Sequence, residues 1–209
     1  MATGGSAPDF SEETRLRRMG PWPVAGVDEA GRGPLAGPVS AAAVILNPRD
    51  VPAGLNDSKL LQPGIRERLF EEILTRAVAV SFAFIAAAEI DATDIRRAAL
   101  LAMARAVRGL AIPPAYALVD GRDLPDLPCP GAALVRGDGR SLSIAAASII
   151  AKVARDRAMR ALDEAYPAYG FGTNAGYGVK RHLEALETFG PTPHHRLSFS
   201  PCRREDHGD

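Results

Sequence analysis

The segment Val24-Ala-Gly-Val-Asp-Glu-Ala-Gly-Arg-Gly33 decides how the chain is read. Val24 to Val27 is short and apolar and predicts a strand. It runs directly into two acids, Asp28 and Glu29. Taken alone, a strand entering a solvated turn accounts for them. Yet Val27 and Ala30 flank the acids and place them near a core, where a carboxylate is costly unless it is paired or binds a metal. Successive residues on a straight strand point to opposite faces. For Asp28 and Glu29 to serve one site the strand must bend or end there, and Gly26 and Gly31 permit that.

Outward from this segment, the Gly/Pro-rich link Gly31–Pro38 leads to a second apolar run, Val39 to Leu46, expected to pair antiparallel with the first. Pro63 to Ala77 has helical periodicity, with Ile65, Leu69 and Ile73 on one face. Ala77 to Ala87 reads as a third strand. Asp91 to Leu110 predicts a helix, capped by Asp91, Thr93 or Asp94 and ended before Pro113-Pro114. Tyr116 to Val119 and Ala132 to Val135 are two further short strands. Helices are expected from about Leu142 to Tyr166 and from about Val179 to Phe189. Three strands followed by β/α alternation predict an α/β fold, a mixed sheet with helices packed on it. Residues 1–22 are rich in Gly, Ser, Pro and charge and read as a flexible extension. Residues 23–202 then form one domain and 203–209 a polar tail.

Two more acids end strands. Asp120 follows Tyr116–Val119, and Asp138 follows the run at Ala132 within Gly137-Asp-Gly139. Singly, each is an ordinary turn residue before glycine. Jointly they change the reading, because the C-terminal ends of neighbouring strands converge on one crevice in an α/β sheet. Carboxylates crowded there repel unless cations neutralise them, and hard oxygen ligands suit Mg²⁺ or Mn²⁺. Two such ions about 4 Å apart activate a water and stabilise the leaving oxygen in phosphodiester cleavage. Asp156, mid-helix between Arg155 and Arg157, reads instead as an exposed ion pair.

Bulk composition constrains less. The 209 residues carry 25 basic and 25 acidic side chains, so the basic excess usual in nucleic-acid binders is missing, although a local basic groove can flank an acidic centre. No apolar run approaches the roughly 18 residues of a membrane span, and Met1 to Pro23 has no secretory signal pattern. Cys129 and Cys202 stand far apart with no C-x-x-C, which disfavours a disulfide framework or a zinc site and points to a reducing cytoplasm. Only three of the 25 basic residues are lysines, Lys59, Lys152 and Lys180. Either chance preserved them or a compact ammonium is needed at those places. No G-x-S-x-G, P-loop or H-E-x-x-H suggests another hydrolase.

The stretch Gly26 to Val39 closely resembles ribonuclease HII. The likeness continues in order through Leu55–Lys59, Leu118–Gly121, Gly137–Ser141, Ala146–Asp156, Gly176–Gly178 with His182, and His195–Phe199, across about residues 24–200. The resemblance implies a ribonuclease H-like five-stranded mixed sheet flanked by helices, with a helical C-terminal part. It implies two-metal hydrolysis by four carboxylates, mapped to Asp28, Glu29, Asp120 and Asp138. Substrates would be RNA–DNA hybrids and single ribonucleotides in duplex DNA, cut on the 5′ side to leave 3′-hydroxyl and 5′-phosphate ends. Gly31, Arg32 and Gly33 would read the ribose 2′-hydroxyl, and Tyr177 would pack on the sugar at the RNA–DNA junction.

Among the cations, Lys59 would hold a backbone phosphate. Lys152 either faces substrate or extends from the core, and Lys180 touches a phosphate or only solvent. Arg140 and Ser141 either contact phosphate or cap the following helix. The sequence departs from many relatives at Asn174-Ala175, before the Gly-Tyr-Gly, and at Val179 after it, which weakens contacts from those positions. Ribonuclease HIII, the nearest rival, normally carries an extra N-terminal domain. A non-catalytic hybrid-binding module would lack a carboxylate. By family likeness His194-His195 is structural, and His182, His194, His195 and His207 form no zinc site. A monomer is expected.

Overall fold

The computed structural model of the chain describes residues 7–203. Its first strand, β1 (Val24–Ala30), continues through both acids instead of stopping at Val27. It pairs antiparallel with β2 (Val39–Ile45), which pairs antiparallel with β3 (Ala79–Ile85). On its other side β1 pairs in parallel with β4 (Tyr116–Asp120), and β4 in parallel with β5 (Gly131–Leu134). The result is a mixed five-stranded sheet in the order β3-β2-β1-β4-β5, with the acid-bearing strand at its centre.

Alternation along the strands assigns the two faces. Ala25 and Val27 join Ala41, Ala43, Ala117 and Val119 in a cluster completed by α4 (Ile95–Arg108). Ala30, Ala42 and Val44 face the other way, onto α2 (Pro63–Arg76) and the long α5 (Leu142–Ala165). The α5 layer is very close. A Cβ added to Gly26 would lie 2.0 Å from the carbonyl carbon of Ser143, so β1 and the start of α5 meet backbone to backbone. Gly26 therefore serves close packing. It does not bend the strand, because β1 runs on to Ala30.

The helix expected over 91–110 is two helices, α3 (Ala87–Asp91) and α4. Asp94 separates them and caps α4, its carboxylate accepting from the Arg97 amide at 2.8 Å. Asp91 instead accepts from the Leu197 and Ser198 amides at 2.8 and 2.9 Å, anchoring the C-terminal loop. The short α6 (Phe171–Asn174), α7 (Lys180–Phe189) and the end of α5 enclose a small cluster of Ala36, Met159, Tyr169, Phe171 and Ala185.

The segment expected to be a flexible extension is ordered over much of its length. Ser11–Arg18 forms α1, whose Leu16 is buried with Val24, Leu118 and Ile144. The polar composition of the segment concealed this anchor, whose buried members include a leucine and an acid, Glu13. Residues 1–6 and 204–209, with nearly all of the expected polar tail and His207, lie outside the described residues. Among the described residues no helix is long and apolar enough to cross a membrane.

Candidate active site

The strand register brings the acids together. Val27 lies opposite Val119 in the parallel β1–β4 pair, so Asp28 and Asp120 follow abreast, one residue further on. Asp120 in turn lies opposite Leu134 of β5. From β5 the chain passes through Arg136, at φ 55°, into a 3-10 turn, Gly137–Gly139, that carries Asp138. The Gly137 amide donates to Asp120 Oδ1 at 2.6 Å and ties this turn to β4. Glu29 projects from the opposite face of β1 at the same sheet edge, with Arg32 Nη1 3.4 Å from its Oε1. Lys59 Nζ stands 3.9 Å from Asp138 Oδ2.

The four acids act on one another. Burial pushes the Asp28 carboxyl well above the usual range, and the charges of Glu29, Asp120 and Asp138 add to it; the Glu29 amide, donating to Asp28 Oδ1 at 2.7 Å, opposes them. Burial and Asp120 raise Glu29 against the pull of Arg32. Burial, with Asp57 and Asp120, pushes Asp138 up to about 6. The Lys59 ammonium is itself partly desolvated, yet Asp57, Asp28, Asp138 and Asp120 raise its pKa.

Among the described residues no three His, Cys, Asp or Glu side chains are already gathered into a metal-holding group. Three of the acids have partners of their own: Glu29 has Arg32, Asp120 the Gly137 amide and Asp138 the Lys59 ammonium. The donor set nevertheless fits a divalent cation. It is all oxygen, it is concentrated at one edge, and its most buried member, Asp28, has no cationic partner within ion-pair distance among the described residues. Oxygen donors of this kind match Mg²⁺ or Mn²⁺ rather than zinc.

A carboxyl whose pKa rises on folding stabilises the fold while protonated. For this cluster the contribution is present below about pH 4 and is lost as pH climbs through the folded values, about 6 for Asp138. Asp28→Asn removes the most strongly opposed charge. It should raise the melting temperature of metal-free protein at pH 8 and have a smaller effect at pH 4, in thermal denaturation with chelator present. A lower melting temperature at pH 8 would mean that the Asp28 carboxylate has a stabilising partner.

A cleft of about 290 Å³ opens over Asp28 and is walled by Gly31, Arg32, Gly33, Lys59, Lys152 and Tyr177. A smaller hollow of about 100 Å³ lies on the other side of Glu29 and reaches Asp120, Arg96 and Arg122. The acids thus sit between two openings rimmed by cations. Gly31 has φ 92°, and the Arg155 side chain lies directly behind it. Gly33 faces the ring of Tyr177, which is 50% exposed and free to meet a ligand.

The remaining expected site residues separate into groups. Lys152 lines the cleft while binding both oxygens of Asp156, at 2.5 and 2.7 Å. Asp156 therefore pairs with Lys152, and more distantly with Arg66, instead of with Arg155 or Arg157. Lys180 pairs with Glu184 at 3.7 Å and does not line the cleft. Arg140 is held by Glu12 at 2.9 Å. Ser141 is fully buried, donates to Glu13 Oε1 at 2.6 Å and accepts from the Ile144 amide. It caps α5 and offers no surface to a phosphate, so its inclusion among the substrate-binding residues is corrected. The departures at 174 and 175 serve the fold: Asn174 bridges Tyr169 O and the Gly176 amide, and Ala175 O accepts from Arg155.

Two buried arginines were missed. Arg196 donates to the carbonyls of Gly31 (2.6 Å), Arg32 (2.9 Å), Pro34 (2.8 Å) and Gly37 (3.0 Å). Arg155 donates to Pro38, Ala36 and Ala175 carbonyls. Together they clamp the glycine-rich link from behind. Burial, with Arg155 nearby, lowers Arg196 to about 10, which still leaves it charged at neutral pH. Behind Tyr177, His182 and His195 share an Nε2–Nε2 hydrogen bond of 2.9 Å. The other ring nitrogen of each is taken up by Tyr177 O or Thr192, which leaves neither free for a metal. The sequence could have hinted at Arg155, an arginine on an alanine-rich helix face, but its partners are distant carbonyls.

A mixed sheet of this order with acids at three adjoining strand ends defines the chain as a nuclease of the ribonuclease H class. Residues 25–202 match the family model for ribonuclease HII. The ribonuclease HII of Sinorhizobium fredii (strain NBRC 101917 / NGR234) is 60% identical over 94% of this chain and 85% of its own length. That of Brucella canis (strain ATCC 23365 / NCTC 10854 / RM-666) is 58% identical over 94% and 90%. The crystal structure of ribonuclease H2 from Pyrococcus horikoshii OT3 superposes with a TM-score of 0.73 at 28% identity, covering 86% of this chain and 95% of that one. The chain belongs to the ribonuclease HII family.

Proposed function

We propose that this enzyme cuts the RNA strand of RNA–DNA hybrids, and the phosphodiester 5′ to ribonucleotides embedded in duplex DNA, with two divalent cations held by Asp28, Glu29, Asp120 and Asp138. The observation that carries this reading is the convergence of four carboxylates at one sheet edge. When bound, Mg²⁺ or Mn²⁺ would supply an activated water and neutralise charge on the leaving oxygen. Hydrolysis would join a water oxygen to phosphorus and break its bond to the 3′-oxygen, which would take a proton and leave as a 3′-hydroxyl, while the phosphate would stay on the 5′ side of the ribonucleotide.

The chain's own residues position the substrate. Gly31 and Gly33 let backbone groups approach the ribose without an intervening side chain, and a 2′-hydroxyl is the feature that separates RNA from DNA. Arg32 stands beside them at the cleft wall. Tyr177 presents its ring across the cleft, suited to packing on a sugar. Lys59 and Lys152 offer cationic heads to the phosphates flanking the cut. Arg140 and Lys180, each paired only at the surface, would meet the duplex further out. We place the enzyme in the cytoplasm as a monomer.

Tyr177→Ala should slow cleavage at an isolated ribonucleotide at least tenfold and change duplex affinity less than threefold, measured by single-turnover cleavage and by anisotropy of a labelled duplex. Equal losses in both would remove the junction-sensing role. Product ends resolved on a sequencing gel test the chemistry: 2′,3′-cyclic phosphate termini would contradict it.

A further inference from the structure

Besides the apolar anchor of Leu16, the N-terminal segment makes a set of polar contacts to residues 140–143, directly after the turn that carries Asp138. The Asp9 amide donates to Arg140 O at 3.3 Å, and the Leu142 amide donates to Asp9 O at 3.1 Å. Asp9 and Ser141 form a parallel bridge. Glu12 holds Arg140 at 2.9 Å. Glu13, fully buried, accepts at one oxygen from Ser141 Oγ (2.6 Å) and from the Ser143 amide (2.9 Å). Its other oxygen has no hydrogen-bond partner. The 3-10 turn Gly137–Gly139 is thus held from two sides, by Asp120 through the Gly137 amide and by this strap through residues 140–143.

We infer that residues 9–16 form a strap that positions Asp138, with Glu13 as its principal positioning residue. A carboxylate at the first turn of a 24-residue helix interacts favourably with the exposed amides and dipole there. Here that acid comes from a different helix, so its grip on α5 is also a grip on the turn just before α5. Without it, the turn keeps the Gly137–Asp120 bond and the strap keeps, as polar contacts, only its Asp9 backbone bonds and the exposed Glu12–Arg140 pair, none of which reaches the buried first turn of α5 at Ser143. This inference rests on Asp138 being a cation ligand.

The test compares full-length Glu13→Ala and Glu13→Gln with wild type. Two readouts do not depend on turnover: Mn²⁺ affinity by calorimetry without substrate, and hydrogen exchange of peptides covering residues 136–144. Glu13→Ala should weaken Mn²⁺ binding at least tenfold and speed exchange in 136–144 while leaving β2 protected. Glu13→Gln keeps the acceptor oxygen and should stay within threefold of wild type. Unchanged Mn²⁺ affinity in Glu13→Ala, or exchange raised equally across the sheet, would reduce the strap to a fold anchor and overturn the inference. Should Glu13→Ala fail to fold, Ser141→Ala removes one of Glu13's two donors and is judged by the same two readouts. Asp138→Asn separates the two failures. If it binds Mn²⁺ like wild type, the ligand reading falls; if it loses binding while Glu13→Ala does not, only the strap falls.

Discussion

Asp120→Asn should lower single-turnover cleavage of a duplex containing one ribonucleotide by at least a thousandfold, about 4 kcal/mol of transition-state stabilisation, while duplex affinity changes less than threefold. The substitution is nearly isosteric. Asparagine's amide oxygen can still accept from the Gly137 amide, which is the bond the carboxylate makes in the structure. The turn carrying Asp138 should therefore stay in place, and the loss would isolate the charge. That charge lies abreast of Asp28 and raises the pKa of both Asp28 and Asp138. Cleavage within tenfold of wild type would remove Asp120 from the chemistry.

Arg196→Ala should be the most destabilising single change around the glycine-rich link. It would leave the carbonyls of Gly31, Arg32, Pro34 and Gly37 without their shared donor and open a cavity where a fully buried side chain had been. The buried acceptors of Pro34 and Gly37 each cost about 1–3 kcal/mol when unsatisfied, so a loss of roughly 2–6 kcal/mol is expected in urea denaturation. Arg196→Lys keeps the charge but offers one compact donor group in place of a planar fork. It should recover only part of that loss. A cost under about 1 kcal/mol for Arg196→Ala would mean that the link keeps its shape without the arginine.

The sheet was largely legible because its strands are short apolar runs punctuated by Gly, Pro and acids. Val39 to Leu46 and Tyr116 to Val119 fall within a residue or so of β2 and β4. The acids at 120 and 138 could be placed because strand ends in such sheets converge. β1 was harder. A strand continuing through Asp28 and Glu29 contradicts local propensity, and it persists because β2 pairs with it as far as Ala30. The role of Gly26 was misassigned for a related reason: what presses on it is the backbone of Ser143, more than a hundred residues away.

Polar contacts between distant segments were the least legible. Arg155 looked like half of a surface ion pair, since nothing nearby in the chain reveals three carbonyl partners. Ser141 offered two readings, and burial under α1 selects the cap. The N-terminal segment looked loose because its attachment combines one buried leucine with a buried glutamate and backbone bonds from Asp9, too few apolar positions for any periodic signal.

On the proposed mechanism, the strand-end carboxylates of β1, β4 and the turn after β5 gather divalent cations around a scissile phosphate. Anomalous diffraction from Mn²⁺-soaked crystals holding a cleaved ribonucleotide-containing duplex tests it most directly. Two manganese peaks about 4 Å apart are expected, ligated by oxygens of Asp28, Glu29, Asp120 and Asp138 and adjacent to the 5′-phosphate product. Manganese bound elsewhere, with those oxygens contacting no ion, would contradict it.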